Sequence, residues 1–258
     1  MSSERLQKIL SQLGLGSRRE MERWIEQGMV AVNGDVAKLG DSATAEDNIY
    51  VKGKLVKNPL KEKLNTRVMI YHKPVGEISS RSDPKHSETV FDKLPPLKQG
   101  RWVQVGRLDI NTSGLLIFTN DGELANRLMH PKYQLEREYS VRVHGQVSED
   151  MIKALLKGVE LDDGKAKFKR IDFKGGEGTN SWYNVTLTEG RNREVRRLWE
   201  SQGLQVSRLI RIRYGQLTMP RYLARGDYKE LTLKEVESFL ALLSDPKGGK
   251  GKIIPQKK

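Results

Sequence analysis

The sequence predicts an α+β protein with two domains and a basic tail. Apolar residues at helical spacing, followed by a turn signal between β-prone runs, predict a small helix–helix–hairpin domain over residues 1–62. Over residues 66–245, short β-prone runs alternate with short helical segments, as expected of a larger domain built on a sheet. The last segment, 246–258, holds five lysines and no acid, so we expect a flexible tail that is either inert or in contact with the backbone of a polyanionic partner.

The composition narrows the classes of function. Among 258 residues, 46 Lys and Arg against 33 Asp and Glu give a net charge of +13. This charge favours a polyanionic partner: RNA, DNA or an anionic membrane surface. The absence of cysteine excludes disulfides and thiolate metal sites, and the four histidines lack metal-ligand spacing. The chain has no apolar stretch of bilayer length and no signal peptide, so we expect a cytoplasmic protein.

The small domain begins with an amphipathic helix and ends in a hairpin. The spacing of Ser17 and Glu20 predicts a capping box at the start of a second helix. Asn33-Gly34, between two β-prone runs, predicts the hairpin turn. Residues 58–65 are polar and lack periodicity, and we interpret them as a linker. The apolar face of the first helix is formed by Leu6, Ile9, Leu10 and Leu13.

Arg18 and Arg19 open the second helix. Cations in a first helical turn face the positive end of the helix dipole, which is slightly unfavourable. The same position offers free backbone N–H groups, so these arginines are candidates for binding phosphate. Charge alone leaves two solvated arginines as an equal alternative.

The central stretch, 106–121, carries the candidate reactive group. Asp109 lies beside an arginine and before a turn-prone Asn-Thr-Ser-Gly segment. Leu115 to Phe118 form a short apolar run, which predicts a buried strand. A loop beside a rigid strand is a common place for a reactive side chain, but a turn aspartate more often only hydrogen-bonds the turn backbone.

The motifs of this stretch decide between these alternatives. Gly106-Arg107-Leu108-Asp109, Gly114-Leu115-Leu116 and Thr119-Asn120-Asp121-Gly122 resemble the catalytic motif of the RNA pseudouridine synthases. The small domain similarly resembles an S4 RNA-binding domain, as in the branch of the family that modifies ribosomal RNA. The resemblance implies a mixed, mainly antiparallel catalytic sheet and the isomerisation of a uridine to pseudouridine without a cofactor. The overall similarity favours 23S ribosomal RNA as substrate, with 16S ribosomal RNA as the alternative.

The resemblance also implies roles for individual residues. Asp109 would be the catalytic nucleophile or base, and Tyr139 would stack on the flipped uracil. Arg196 would contact the catalytic aspartate and hold it charged. Arg107 would be a helper that wedges against the opened stem, and Leu209 would form an apolar wall of the pocket.

Four arginines occupy seven positions from 191 to 197. By default such a segment is a solvated helix face, but this density suits phosphate binding or carboxylate pairing. We therefore predict that Arg191, Arg193 and Arg197 bind RNA. Many relatives have His-Gln where this chain has Arg193-Glu194, so the match is to the S4-linked branch.

The predicted partner is a ribosomal RNA stem-loop with a flipped uridine, gripped by both domains. The pre-ribosomal large subunit is a further candidate partner, no membrane contact is expected, and we expect a monomer. A non-catalytic ribosome-assembly factor would explain the basic surface but not the combination of Asp109, Tyr139 and Arg196. A metal-dependent nuclease would need clustered carboxylates or histidines, and the sequence shows no such pairing.

Overall fold

The computed structural model describes residues 3–61, 65–81, 88–244 and 252–256. The chain divides into two compact units. Unit 1 comprises the chain up to Arg67, Pro95–Val103 and Thr119–Gly122. Unit 2 comprises Val68–Leu94, Gln104–Phe118 and the chain from Glu123 onward. Unit 1 therefore contains two short segments that follow the predicted small domain in sequence.

Unit 1 has two helices and short antiparallel strands around its own apolar core. Ser17 and Glu20 form the predicted capping box, with the Glu20 amide donating to Ser17 Oγ at 3.1 Å. In chain order the elements are β1 (Glu4–Arg5), α1 (Leu6–Gln12), α2 (Arg18–Glu26), β2 (Val30–Val32), β3 (Asp35–Val36), β4 (Ser42–Ala43), β5 (Ile49–Val51) and β6 (Lys54–Val56).

The predicted hairpin joins β2 and β3. Asn33 and Gly34 both adopt positive φ, 53° and 102°, as a tight turn between two strands requires. The predicted linker is wrong at Asn58. This side chain is buried and donates to the Thr44 and Asp47 carbonyls, both at 2.9 Å, because it satisfies backbone groups that would otherwise be unpaired.

Unit 2 is built on a mixed sheet in the order β13-β14-β10-β15-β9-β7-β17, with β16 beside β15 and β8 beside β9. The strands are β7 (Val68–Lys73), β8 (Val103–Val105), β9 (Ser113–Thr119), β10 (Arg137–His144), β11 (Val159–Leu161), β12 (Gly164–Ala166), β13 (Arg170–Glu177), β14 (Asn180–Leu187), β15 (Gln205–Tyr214), β16 (Leu217–Thr218) and β17 (Tyr228–Glu230). Strands β11 and β12 lie outside this sheet and pair with each other as an antiparallel hairpin. The helices are α3 (Gly122–Met129), α4 (Glu149–Lys157), α5 (Glu194–Glu200) and α6 (Leu233–Ser244).

Strand β9 begins earlier than the sequence predicts. Ser113 and Gly114, predicted as part of a turn, pair in parallel with Ile210 and Arg211. Gly114 has φ +109°, and a Cβ there would lie 2.3 Å from the Arg211 carbonyl oxygen. Only glycine allows the two backbones to approach this closely, so Gly114 fixes where the strand starts.

Part of the predicted flexible tail is held in place. Ile253 donates to the Gln216 carbonyl at 2.8 Å and accepts from the Thr218 amide at 3.0 Å. Tyr222 donates its hydroxyl to the Pro255 carbonyl at 2.9 Å. The prediction of a flexible tail is therefore wrong for residues 252–256, because their backbone groups pair with unit 2. The predicted tail at 246–251 and 257–258 lies outside the described residues.

Candidate active site

Asp109 lies on a turn whose carbonyl groups are all hydrogen-bonded. We call residues 108–112 the Asp109 turn. Ser79 Oγ donates to Leu108 O, the Gly76 amide to Ile110 O, and the Thr112 amide to Asp109 O. Five consecutive carbonyl oxygens, including those of Asn111 and Thr112, accept a hydrogen bond within unit 2. The turn is therefore held rigidly, and the half-buried Asp109 side chain is directed from a fixed backbone.

Lys73, the last residue of β7, donates hydrogen bonds to the Asp109 turn. Its side chain is fully buried, and Nζ donates to the carbonyls of Pro74, Asp109 and Thr112 at 3.0, 3.2 and 3.0 Å. Burial lowers the pKa of Lys73 from 10.5 to about 8, although the nearby carboxylates of Glu77 and Asp109 act in the opposite direction. At neutral pH the group carries its proton and uses two of its three N–H bonds on the turn and the third on Pro74.

Arg196, on helix α5, holds the other side of the turn. Its Nη2 donates to the Asn111 carbonyl and its Nη1 to the Val206 carbonyl, both at 2.8 Å. Burial, and to a lesser extent the neighbouring Arg193, lower the pKa of Arg196, and the Asp109 carboxylate opposes this. Between the described residues no ion pair joins Arg196 to Asp109. The predicted direct contact is thus absent, because the guanidinium is occupied by backbone carbonyls of the turn and of β15.

The Asp109 side chain faces a cavity of about 650 Å³. A cavity of this volume accommodates a nucleoside-sized group. Among the described residues, Asp109 and the buried Glu194 are the acids of its lining. The arginines of the lining outnumber them: Arg81, Arg107, Arg137, Arg191, Arg193 and Arg211. The cavity therefore combines one accessible carboxylate with a strongly basic wall, which suits a polyanionic ligand.

The predicted aromatic and apolar groups lie in this cavity. Tyr139 on β10 and Leu209 on β15 both line it and are almost fully buried. Tyr139 pairs with Arg211 across the two strands, and Leu209 pairs with Val141. The antiparallel pairing therefore brings side chains about seventy positions apart in sequence to one face of the sheet.

The arginine-rich segment forms the opposite wall. We call residues 189–193, between β14 and α5, the arginine loop. Arg193 lines the cavity and adopts φ 49°, the left-handed region, immediately before α5. Arg191 also lines the cavity, but its guanidinium donates to Gly164 O at 3.0 Å and Lys165 O at 2.8 Å.

Arg197 points away from the cavity. Its two Nη groups donate to the Asp163 carboxylate at 2.9 and 2.8 Å. The structure thus places three predicted RNA-binding arginines in two settings, since Arg193 is exposed beside the cavity, whereas Arg191 and Arg197 are bound to the β11–β12 hairpin. In unit 1, Arg18 and Arg19 are exposed in the first turn of α2, as predicted.

Comparison with known proteins identifies this arrangement. The RNA pseudouridylate synthase family matches residues 67–201, just over half of the chain. The chain belongs to this family. The S4 domain family matches residues 4–49. A protein of Yersinia pestis named "Ribosomal large subunit pseudouridine synthase B" is 59% identical over 233 residues, which cover 90% of this chain and 73% of that protein.

Two further matches agree with the first. A protein of the same name from Escherichia coli strain K12 is 53% identical over 99% of this chain and 88% of its own length. A solved structure described as a pseudouridylate synthase is 28% identical, covers 90% of this chain and 98% of its own, and superposes with a TM-score of 0.61. The predicted family, the enzyme class and the α+β fold with an S4 domain are confirmed.

The described residues contain neither a helix that could cross a membrane nor a cluster of metal-ligating side chains. No helix in the part of the synthase that the structure describes is long and apolar enough to cross a membrane. Within the same residues, no group of three or more His, Asp or Glu side chains has an arrangement suited to a metal ion.

Three residues beside the Asp109 turn or the cavity are not among the predicted site residues. Lys73 and Ser79 donate hydrogen bonds to the turn, and Ser79 and Arg211 line the cavity. A signal existed for Lys73 and Arg211. Lys73 ends the strand that begins with an apolar run, and Arg211 lies between Ile210 and Ile212. A buried cation in a strand requires hydrogen-bond acceptors nearby. Arg211 is almost fully buried, and its Nε donates to the Leu115 carbonyl at 2.7 Å.

Proposed function

We propose that the protein converts one uridine of the large-subunit (23S) ribosomal RNA to pseudouridine, with Asp109 as the reacting carboxylate. The observation that carries the proposal is the rigid Asp109 turn, which presents a half-buried carboxylate to a nucleoside-sized cavity with a basic wall. An enzyme gains most from a reactive group that is held in its productive position before substrate binds.

The reaction is an isomerisation in which atoms balance within the substrate. The bond between N1 of uracil and C1′ of ribose breaks, a bond between C5 and C1′ forms, and the hydrogen lost from C5 is matched by one gained at N1. In one route the Asp109 carboxylate adds to C1′ as the base leaves, and this ester bond breaks when C5 bonds to C1′. In the other route the carboxylate removes a proton from C2′ as the base leaves and returns it when C5 bonds to C1′. Both routes need an ionised Asp109 carboxylate close to the ribose, so the residues around Asp109 have the same role in each.

The other cavity residues bind and orient the substrate in this proposal. Tyr139 offers an aromatic face to the flipped uracil, and Leu209 supplies an apolar wall that limits access of water. Arg196 acts through the backbone of the Asp109 turn, which its guanidinium holds at Asn111. Arg107 is exposed at the mouth of the cavity, where it wedges into the opened stem.

The choice of RNA rests on the relatives and on charge. The relatives that are 53–59% identical are named for the ribosomal large subunit. A net charge of +13 and the S4 domain fit an RNA stem-loop gripped at two places, with Arg18, Arg19 and Arg193 on phosphates. The proposal includes a monomer in the cytoplasm, with the pre-ribosomal large subunit as the natural form of the substrate.

The test uses purified protein with unmodified 23S and 16S transcripts, followed by pseudouridine-specific carbodiimide mapping. We expect a single new stop in 23S RNA. Asp109→Asn should lower its rate of formation by about 10⁴-fold or more, because the amide can neither add to C1′ nor accept a proton. RNA binding by this variant should persist. Asp35→Asn on the exposed β2–β3 hairpin makes the same change of charge and should leave the rate unchanged.

The other outcomes contradict parts of the proposal. A stop in 16S RNA alone would keep the chemistry and overturn the substrate. Tight binding to both RNAs without any stop, repeated with pre-ribosomal large subunits as substrate, would favour a non-catalytic ribosome-assembly factor. Cleavage of the RNA that EDTA abolishes would indicate a nuclease.

A further inference from the structure

The β11–β12 hairpin carries an exposed carboxylate, that of Asp163, which pairs closely with Arg197 and lies 3.5 Å from the Arg191 guanidinium. Asp163 lies in the hairpin turn, between Leu161 and Gly164. Arg197 meets it with two parallel hydrogen bonds of 2.9 and 2.8 Å, the geometry that binds a carboxylate most firmly. Arg197 also donates from Nε to the Asn192 carbonyl at 2.9 Å. A single side chain therefore joins the hairpin turn to the arginine loop.

Arg191 makes a second connection between the same two segments. Its Nη1 donates to the carbonyls of Asp163 and Gly164 at 3.2 and 3.0 Å, and its Nη2 donates to Lys165 O at 2.8 Å. Its Nε donates to the Glu189 carboxylate at 2.7 Å. Four of its five N–H bonds are thus used within this chain, which leaves little capacity for an RNA phosphate.

The segment held in this way has a backbone that needs support. Arg193 adopts φ 49° and ψ 26°, a conformation that non-glycine residues rarely adopt and that persists only where the surroundings impose it. The Arg191 amide donates to the buried Glu194 carboxylate at 3.0 Å, which fixes the end of the loop next to α5. Residues 190–193 form one wall of the cavity that contains Asp109.

We propose that Asp163 is a positioning residue of the active site, which holds the arginine loop in its working conformation through Arg197 and Arg191. The proposal rests on the proposed function and goes beyond it. It assigns Arg191 and Arg197 to the support of the cavity wall. Arg193, whose exposed guanidinium lies 3.6 Å from the Glu200 carboxylate, is then the member of the set that is available to RNA. Arg197 and Arg191 hold the pKa of Asp163 at about 2, so the carboxylate stays charged throughout the working pH range.

The structural test is independent of catalysis. In Asp163→Asn, the backbone amides of the arginine loop should exchange with deuterium faster than in the parent protein, because the paired hydrogen bonds from Arg197 and the 3.5 Å contact from Arg191 both weaken. Asp162→Asn is the matched control, since it lies on the same hairpin turn, is also exposed and changes the charge equally. Equal protection of the loop in both variants would overturn the proposal, even if the protein proved to have a different activity.

The kinetic test separates positioning from RNA binding. With enzyme in excess over a 23S fragment, Asp163→Asn should react about ten- to a hundredfold more slowly than Asp162→Asn. Both variants should bind the RNA with the same Kd, because they carry the same net charge. Asp163→Glu, which keeps a carboxylate, should recover part of the rate.

Two outcomes of this test would contradict the proposal. The first is an equal reaction rate for the two asparagine variants. The second is tighter RNA binding by Asp163→Asn than by Asp162→Asn, because this would mean that the released arginines bind RNA and that Asp163 restrains them. Thermal unfolding of each variant establishes that the comparison is made between folded proteins.

Discussion

The two walls of the cavity are held by different kinds of contact. The Asp109 turn is fixed by donors in the interior, the buried Lys73 and Arg196, which bond its backbone carbonyls. The arginine loop is held mainly at the surface, by hydrogen bonds from Arg191 and Arg197 and by the ion pair of Arg197 with Asp163, whose side chains are 20% and 45% exposed. Buried hydrogen bonds depend on the packing of the core, whereas surface ion pairs are individually weak and are screened by salt.

This difference suits the task of each wall: one presents the reacting carboxylate, and the other meets the RNA. The wall that carries the reacting carboxylate gains from rigidity, because small displacements of a reactive group cost much of its rate. The wall that meets the RNA consists of side chains on a loop, and a loop fixed at the surface can adjust when a polyanion arrives. The substitutions predicted below change residues that support the Asp109 turn. They test whether the arginine loop changes when the turn is disturbed.

The largest effect is expected from Gly114→Ala. A Cβ at this position would lie 2.3 Å from the Arg211 carbonyl oxygen, and φ is +109°, so the substitution should lower the free energy of unfolding by about 4 kcal/mol. Gly178→Ala is the control, because Gly178 also has positive φ but has no heavy atom within 4 Å of a built Cβ. It should cost about 1 kcal/mol. Equal losses in urea unfolding would contradict the role of close packing beneath the Asp109 turn.

Lys73→Met should have the next largest effect. Methionine fills a similar volume but donates no hydrogen bond, so the Thr112 carbonyl loses its donor and the Asp109 carbonyl keeps the Thr112 amide but loses Lys73. We expect a loss of about 2–4 kcal/mol in the free energy of unfolding. The turnover rate on RNA should fall about a hundredfold, because the turn moves.

The control for this substitution is Lys153→Met on α4, whose side chain is 70% exposed. It should change the free energy of unfolding by less than about 0.5 kcal/mol. Hydrogen exchange of the Lys73→Met variant compares the protection of the Asp109 turn with that of the arginine loop. Faster exchange in the arginine loop of Lys73→Met, as fast as in the Asp109 turn, would mean that the walls are not independent.

The smallest effect is a dependence on pH. The pKa of Lys73 is about 8 in the folded protein and 10.5 in the unfolded chain, so between these values the unfolded chain binds more protons at this site. The contribution of Lys73 to stability is therefore present above pH 10.5 and is lost as the pH falls through 8. Deprotonation nevertheless leaves two N–H bonds for three carbonyls, so the turnover rate should fall a few-fold from pH 7.5 to 9.5.

The measurement is the turnover rate against pH, together with Tm at each pH. A fall in rate without a matching fall in Tm would locate the effect in the Asp109 turn. The arginine loop should not contribute, because the pKa of Asp163 is about 2 and its carboxylate stays charged throughout this range. If Lys73→Met showed the same fall in rate, another group would be responsible.

The sequence determined the local structure and the candidate chemistry of this protein. Helical periodicity, the capping box at Ser17 and the Asn33-Gly34 turn follow from interactions between residues close in sequence, and the structure has all three. The motif around Asp109 identified the family, and the pairing of β10 with β15 brings Tyr139 and Leu209 to the cavity that this aspartate faces.

Tertiary structure alone decided which partner each charged side chain has. Arg196 bonds the Asn111 carbonyl, 85 positions away, and Arg197 pairs with Asp163, 34 positions away. Lys73 reaches Thr112 across 39 positions. The same sequence pattern of closely spaced arginines allows phosphate binding, carboxylate pairing or support of a backbone turn. The choice among these depends on which acceptors the fold brings within about 3 Å, the distance at which a hydrogen bond forms.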